Sequence, residues 1–258
     1  MSAPQVLEGA LKRTDICNWI LSRAEQEGRC LIGIDCNFAY AEGVGILQFG
    51  ESYTYLDLWQ AVEESSRHLP DYFAAAFWEH EFYGRYFWSS GPKPSHFNDS
   101  CQRLTEAVCR EKGYGHPESP FKLIGPKQVG KGGLAGMRLM YDLKRKLRDD
   151  VCIWPFENNM DTAKLVLAEI YPRLFLNGAG CGSSKIREIS VLNNALSFYK
   201  TESTNDIIIM SDHMTDAIIS SAALRALSGE TGRFPDNIIN PAAMNKMATA
   251  REGWILGV

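Results

Sequence analysis

The sequence lacks the features that mark several specialised classes of protein. None of its apolar runs approaches the about 18 residues that a membrane-spanning helix needs, and charged residues interrupt the N-terminal stretch where a signal peptide would be apolar. Its seven cysteines include no C-x-x-C pair, which argues against a zinc site or a disulfide framework. The net charge of −4 argues against a uniformly basic nucleic-acid coat. These absences predict a reduced protein of the cytoplasm with no membrane partner.

The composition and the apolar pattern are those of a globular α/β protein. Hydrophobic residues make up 45% of the 258 positions and charged residues 22%, which is an ordinary balance. Helical spacing alternates with short apolar runs, and this alternation favours an α/β fold. The predicted helices include 6–27, 133–148 and 212–227, and the predicted strands include 31–36, 151–154 and 164–171. No repeat or linker divides the chain, so a single domain over 1–258 is predicted.

Residues 50–120 follow no single period and are rich in aromatic side chains. Ten aromatic residues lie between Tyr72 and Phe97. We interpret the segment as a helical insertion that packs its rings on the main core. The alternative is a wall of a substrate cleft on which nucleic-acid bases stack.

Positive charge is concentrated between Lys122 and Arg148. Eight basic residues and the single acid Asp142 give this segment a local charge of +7, which leaves −11 for the rest of the chain. A solvated helix face would explain the pattern, and so would the attraction of phosphate groups. The overall net charge therefore does not exclude a phosphate-bearing partner.

Four carboxylates occupy positions where the surroundings are expected to be apolar. Asp35 ends one predicted strand and Glu169 interrupts another, while Asp212 and Asp216 lie four residues apart on one helix face. A carboxylate among apolar groups needs a positive partner, and hard oxygen ligands select Mg²⁺ or Mn²⁺. Such acids, gathered at one sheet edge, could clamp two ions about 4 Å apart for phosphoryl displacement. The alternative is a structural partner for each acid, such as the helix N-terminus for Asp212.

Four segments occur in an order that resembles a poorly characterised family of predicted ribonuclease-H-like nucleases. The pattern is an apolar strand ending in Asp, a Lys-Gln pair before a helix, a Glu-x-x-Pro strand and an Asp-x-x-x-Asp-Ala helix. These segments are Leu31–Asp35, Gly125–Gln128, Leu167–Pro172 and Ser211–Ala217. The resemblance runs from about residue 6 to the C-terminus and leaves out much of 50–120. Each motif is short, and their order gives the resemblance its specificity.

The resemblance implies a ribonuclease-H-like mixed sheet flanked by helices, with 50–120 as an insertion. The residues that it implies as catalytic groups and metal ligands are Asp35, Glu169, Asp212 and Asp216. It also places Lys127 and Gln128 near the substrate. That fold usually opens with a β-hairpin that carries the first catalytic Asp, whereas this sequence opens with a predicted helix. The opening hairpin is therefore expected to be missing.

A competing motif is the glycine-rich segment Gly125–Gly132. It meets the G-x-x-x-x-G-K part of a nucleotide-binding phosphate loop. However, Gly132 stands where such a loop has the Ser or Thr that binds Mg²⁺, and Pro126 removes a backbone donor. A glycine-rich turn with one lysine that touches a phosphate fits the residues better.

The sequence thus predicts a nuclease-like phosphodiester hydrolase that uses Mg²⁺ or Mn²⁺ and acts on nucleic acid or another phosphodiester. Lys127, Lys131 and Arg173 are expected to contact phosphate, with Gln128 beside them, and Asp212 is expected to be an outer ligand or a water-positioning base. One alternative keeps the fold as a non-catalytic binding or regulatory module. The other is a nucleotide-binding protein that uses Gly125–Gly132.

Overall fold

The computed structural model of the protein describes residues 2–7, 9, 11–26, 28–97, 101–182, 185–205, 207–209, 211–229, 234–241 and 244–258. Its strands are β1 (Cys30–Ile34), β2 (Val151–Trp154) and β3 (Leu165–Glu169). The helices of the first half are α1 (Arg13–Ala24), α2 (Glu42–Phe49), α3 (Tyr55–Ser66), α4 (Ala75–Trp78) and α5 (Leu104–Glu111). Those of the second half are α6 (Gly130–Leu147), α7 (Pro172–Gly178), α8 (Ile189–Phe198), α9 (Asp212–Ser228), α10 (Asp236–Ile239) and α11 (Lys246–Glu252).

The sheet consists of three parallel strands in the order β1-β3-β2. In the central strand, Glu169 lies opposite Ile34 of β1 and Ala168 lies opposite Trp154 of β2. Both β2 and β3 are buried at every position, as expected of parallel strands covered on both faces. The two edge strands differ, because β2 is buried at every position whereas every residue of β1 is only partly buried.

Two hydrophobic cores cover the two faces of the sheet. Successive side chains of a strand point to opposite faces. Accordingly, Leu165 and Leu167 of β3 join the core that contains α1, α3 and α6, while Val166 and Ala168 join the core of α7, α8 and α9. The apolar tail of the chain completes the second core, and the amide of its Leu256 donates to the carbonyl of Glu169 at 2.9 Å.

The prediction of an α/β fold is confirmed, and α6 and α9 lie close to their predicted ranges. The helix predicted from residue 6 begins at Arg13, because Lys12 has extended backbone dihedrals and the described residues before it form no helical turn. The aromatic segment carries α3, α4 and α5, and rings such as Phe77 and Phe87 are buried in the first core. Within the described part of the chain, the sheet contains no antiparallel strand pair.

The N-terminal turns of α6 lie very close to the chain that follows β1. A Cβ atom added at Gly133 would lie 2.1 Å from the Asn37 side chain, and one added at Gly136 would lie 2.5 Å from Cys36 Sγ. These distances leave no room for a methyl group. The glycines of this segment therefore position α6 against the residues next to Asp35.

The same helix offers a matched pair of glycine substitutions. A Cβ atom at Gly130 would lie 2.2 Å from the Pro120 carbonyl oxygen, whereas nothing lies within 4 Å of one at the exposed Gly132. We expect Gly130→Ala to lower the free energy of unfolding by about 1–3 kcal/mol through overpacking. Gly132→Ala should raise it by about 0.5–1 kcal/mol, because alanine favours the helix. Urea unfolding measures the free energy of unfolding of both variants. Equal changes in Gly130→Ala and Gly132→Ala would contradict the prediction.

Candidate active site

Two of the predicted carboxylates lie at the carboxyl ends of neighbouring parallel strands. Asp35 directly follows β1, and Glu169 is the last residue of β3. Their strands are paired with Ile34 opposite Glu169, so both acids reach the same edge of the sheet. In open α/β sheets this edge is the usual location of a binding site.

A cavity of about 880 Å³ extends from this edge along β1. Asp35 lines it from the strand, and Asp216 and His213 line it from α9. Ser211 caps α9 by accepting a hydrogen bond from the Met214 amide at 3.2 Å, which fixes the first turn that carries His213. Strand β1 and helix α9 therefore bring together two aspartates that are far apart in the sequence.

The carboxyl groups of Asp35 and Asp216 have no hydrogen-bond or salt-bridge partner among the described residues. Burial in the cavity and the charges of Asp216 and Glu169 raise the pKa of Asp35 to about 6. Asp35 is nevertheless an exposed residue, so solvent partly screens its charge. The pKa of Asp216 is also raised, mainly by burial. The pair is thus an electrostatically unfavourable arrangement that a cation would relieve.

Positive side chains partly offset this negative charge. His213 favours the charged forms of both Asp35 and Asp216, and Arg173 does the same for Asp216. The Arg173 guanidinium donates to the carbonyl of Gly182 at 2.6 Å, which holds it beside the second aspartate. The predicted phosphate contact Arg173 therefore lies near a predicted metal ligand.

Glu169 has a strong structural partner that the sequence motifs did not reveal. Its two carboxylate oxygens accept hydrogen bonds from Arg103 at 2.5 and 2.8 Å, and the Phe38 amide donates to it at 3.0 Å. The side chains of Arg103 and Glu169 are only 1% and 4% exposed. This ion pair satisfies the carboxylate that interrupts the apolar strand β3.

The same arginine binds a second buried acid. Arg103 Nε donates to Glu106 at 2.8 Å, and its Nη1 donates to the backbone carbonyl of Glu252 at 3.0 Å. The carboxylate of Glu252 in turn accepts the amides of Glu42 and Leu104, both at 2.7 Å. Burial raises the pKa of Glu106 to about 7, although Arg103 opposes that shift. A single guanidinium thus links the loop before α5, the end of β3 and the C-terminal segment.

Asp212 lies outside the cavity and is paired with cations. It forms salt bridges with Lys185 and Arg187. Hydrogen bonding to Lys185, supported by Arg187, lowers the pKa of its carboxyl. The four carboxylates of the sequence prediction therefore have three different environments, and Asp35 and Asp216 are the two that form no salt bridge among the described residues.

The other predicted substrate contacts lie at or before the start of α6. Lys127 and Gln128 are exposed in the turn before the helix, and Lys131 Nζ lies 5.8 Å from the centre of the Trp78 ring. None of these three residues contacts the four carboxylates in the described structure. The chain before Gly125 forms only an isolated bridge between Lys122 and Trp88, not the strand that precedes a phosphate loop.

Much of the positive charge between 122 and 148 is neutralised within the fold. Four of its eight basic residues form salt bridges with acids. These pairs are Lys122–Glu118, Arg138–Glu63, Lys144–Glu157 and Lys146–Asp142. The segment is therefore less attractive to phosphate than its sequence charge indicates.

Several residues at this end of the sheet carried no clear signal in the sequence. Arg103 and Glu106 lie in the segment without a clear period, and their spacing of three gives only a local hint. Lys185 and Arg187 lie in a loop before α8, away from any motif. Within the described residues, no group of three or more His, Cys, Asp and Glu side chains is placed to hold a metal ion.

Comparison with known proteins gives no relative from which the role of this site could be inferred. No described helix combines the length and the apolar character that crossing a membrane requires. Neither the known family models, nor the curated proteins, nor the solved structures include a match to this chain.

Proposed function

We propose that the protein is a phosphodiester hydrolase that binds one divalent cation, Mg²⁺ or Mn²⁺, between Asp35 and Asp216. The proposed substrate is a nucleic acid or another phosphodiester. The proposal rests on a single observation, namely that two aspartates that form no salt bridge in the described structure line the same cavity. Each of them carries a raised pKa, and the charge of Asp216 contributes to the raised pKa of Asp35.

The donor set suits a magnesium-type cation. Mg²⁺ commonly binds through one or two carboxylates and keeps several waters or takes substrate phosphate oxygens. Two aspartates are therefore enough, although the described residues offer no group of three acidic, His or Cys ligands. When bound, such a cation polarises a phosphoryl oxygen and promotes attack by water.

Neighbouring cationic side chains would position the substrate anion. Arg173 lies beside Asp216. Lys185 and Arg187 have exposed side chains next to Asp212 and would extend the positive surface along the same end of α9. Lys127, Gln128 and Lys131 belong to the proposal as contacts to more distant phosphates. Their closest link to the site is the packing of α6 against Cys36 and Asn37.

The two remaining predicted ligands enter the proposal with supporting roles. Glu169 binds Arg103 and the Phe38 amide, so it fixes the chain that follows Asp35. Asp212 holds Lys185 and Arg187 by salt bridges, one helical turn before Asp216. A ribonuclease-H-like arrangement is also part of the proposal, supported by acids at the ends of parallel strands β1 and β3 and a facing acid on α9.

The test is cleavage of single-stranded, duplex and branched nucleic acids in Mn²⁺ by the full chain. We expect cleavage by the unaltered protein, no cleavage without the metal, and at least about a hundredfold loss in Asp35→Asn and Asp216→Asn. Asp149→Asn, which removes an exposed carboxylate outside the site, is the matched control. Cleavage that survives in both site variants would overturn the carboxylate assignment.

Failure to cleave any substrate would favour the alternative of a non-catalytic binding module. Calorimetric titration with Mn²⁺ separates the cases, since the proposal requires binding that both site variants lose. ATP hydrolysis that disappears in Lys131→Ala would instead favour nucleotide binding at Gly125–Gly132.

A further inference from the structure

The edge of strand β1 presents unused backbone hydrogen-bonding groups. The Cys30 amide donates to Lys164 and the Ile34 carbonyl accepts from Ile170, so these residues face β3. Amide groups along a parallel strand alternate in direction. Leu31 and Gly33 therefore point their N–H and C=O groups away from the sheet, and β1 pairs with no other strand in the described structure.

This edge is the floor of the 880 Å³ cavity, which we call the edge groove. Its floor is the segment from Cys30 to Gly33. Ile16 and Trp19 of α1 form one wall, and Ser221 and Leu224 of α9 form the other. The walls belong to the two cores on opposite faces of the sheet, so the groove follows the unpaired edge of β1 as a slot between them.

The two ends of the edge groove carry opposite charges. Asp35 and Asp216 lie at the end where β1 finishes. Arg29 and Arg225 line the groove at its other end. Arg29 donates to the backbone carbonyls of Met160 and Ala163 and Arg225 to that of Ser2, so among the described residues neither guanidinium has a carboxylate partner that neutralises its charge. Six residue steps of about 3.3 Å separate Arg29 from Asp35, which gives a length of about 20 Å.

We propose that the edge groove binds an extended polypeptide segment of about seven residues, by strand addition to β1. The cationic end of the bound segment would lie at Asp35 and Asp216 and the anionic end at Arg29 and Arg225. The alternating apolar side chains of the segment would pack against the walls of the groove. This inference does not rest on the proposed hydrolysis, although the cationic end of the peptide and the metal ion would occupy the same two carboxylates.

Three observations favour a peptide over other occupants. The floor offers alternating donors and acceptors, which match another polypeptide backbone, whereas a phosphodiester has no donor for the carbonyls of Leu31 and Gly33. A second copy of the chain would have to bring its own α1 and α9 into the slot, whereas a single strand would not. Arg225, which lines the groove, already donates to a backbone carbonyl, that of Ser2, at 2.8 Å.

The probe is a labelled, acetylated and amidated heptapeptide, Lys-Thr-Val-Thr-Val-Thr-Glu, titrated against the full chain by fluorescence polarisation. We expect saturable binding, and slower hydrogen exchange of the Leu31 and Gly33 amides when the peptide is bound. A peptide of the same composition with its charges in the centre, Thr-Val-Lys-Thr-Glu-Val-Thr, should bind at least about fivefold more weakly.

Two variants locate the binding on the groove. Ser221→Trp places a bulky ring in the slot from an exposed position and should abolish binding. Arg29→Glu should weaken binding about fivefold, the loss expected for one exposed charge pair, whereas Arg67→Glu outside the groove should not.

Four results would overturn the proposal. The first is the absence of saturable binding by the heptapeptide. The second is binding that leaves exchange at Leu31 and Gly33 unchanged. The third is a dimer, seen by analytical ultracentrifugation, in which these amides become protected as concentration rises, because the occupant is then a second copy. The fourth is full protection of the same amides in the monomer without peptide, because the chain then fills its own groove.

Discussion

Replacing Arg103 with Met is expected to lower the free energy of unfolding by about 3–5 kcal/mol. Arg103 is 1% exposed and binds both Glu169 and Glu106, which are themselves buried. Methionine fills a similar volume but leaves two carboxylates in a low-dielectric interior without a cation. The loss of the buried cation, and not a change in packing, should therefore dominate the effect.

Thermal and urea unfolding measure this loss, which corresponds to a fall in Tm of about 10 °C. Arg67→Met removes an exposed arginine and serves as the matched control, with an expected change within about 0.5 kcal/mol. The triple variant Arg103→Met, Glu106→Gln, Glu169→Gln should recover part of the stability, because it also removes the two buried carboxylates that have lost their cation. If Arg103→Met and Arg67→Met changed the free energy of unfolding equally, the ion pairs of Arg103 with Glu106 and Glu169 would contribute little to stability.

The loss of unfolding free energy in Arg103→Met should also depend on pH. Burial already holds the folded-state pKa of Glu106 above its unfolded value, and without the opposing guanidinium it rises further. The folded state then binds protons more readily than the unfolded state, so acidification stabilises the variant relative to the unaltered protein. The difference in unfolding free energy between the two proteins should therefore be largest above the variant's raised Glu106 pKa. It should shrink as the pH falls toward about 7, the pKa of Glu106 in the unaltered protein.

This arginine illustrates why the sequence predicts one half of a contact and not the other. An acid within an apolar strand shows that Glu169 needs a positive partner, because burial of an unpaired carboxylate is too costly. Whether that partner is a metal ion or a side chain depends on contacts across the fold. Arg103 lies 66 residues away, in a segment without a clear period, so no local pattern connects the two.

Local patterns predicted much of the rest. The apolar periods of α6 and α9 and the apolar runs of the three strands depend on neighbouring residues, and these elements lie close to their predicted ranges. The convergence of Asp35 and Glu169 follows from one general rule, because carboxyl ends of parallel strands share an edge. The order β1-β3-β2 depends on long-range pairing and could not be derived from these runs.

The charges of side chains were less predictable than their positions in helices and strands. The basic segment between 122 and 148 has a high charge in the sequence, but acids from elsewhere, such as Glu63 and Glu118, neutralise part of it. Asp212 and Asp216 share a helix face in the sequence. A difference of one turn gives Asp212 two cationic partners and leaves Asp216 in the cavity.

Replacing Asp35 with Asn should stabilise the metal-free protein and remove its response to Mn²⁺. The pKa of Asp35 is raised from 3.8 to about 6, so the folded state binds this proton more readily than the unfolded state. Its unfavourable contribution is absent below about pH 4 and develops as the pH rises through about 6. Because the side chain keeps an exposed surface, solvent screening reduces the penalty at neutral pH to about 1 kcal/mol.

Urea unfolding from about pH 4 to about pH 7.5 should show Asp35→Asn gaining about 1 kcal/mol over the unaltered protein only at the higher pH. Saturating Mn²⁺ should reverse this order. At a hundred times its Kd, the cation stabilises the unaltered protein by about 2.7 kcal/mol and leaves the variant unchanged. Asp149→Asn should show neither effect, since its carboxylate is exposed and lies outside the site. If Asp35→Asn had the same free energy of unfolding as the unaltered protein both with and without Mn²⁺, Asp35 would neither repel Asp216 nor bind the cation. The reversal itself would show that this repulsion is a cost to the metal-free fold and a source of affinity for the metal.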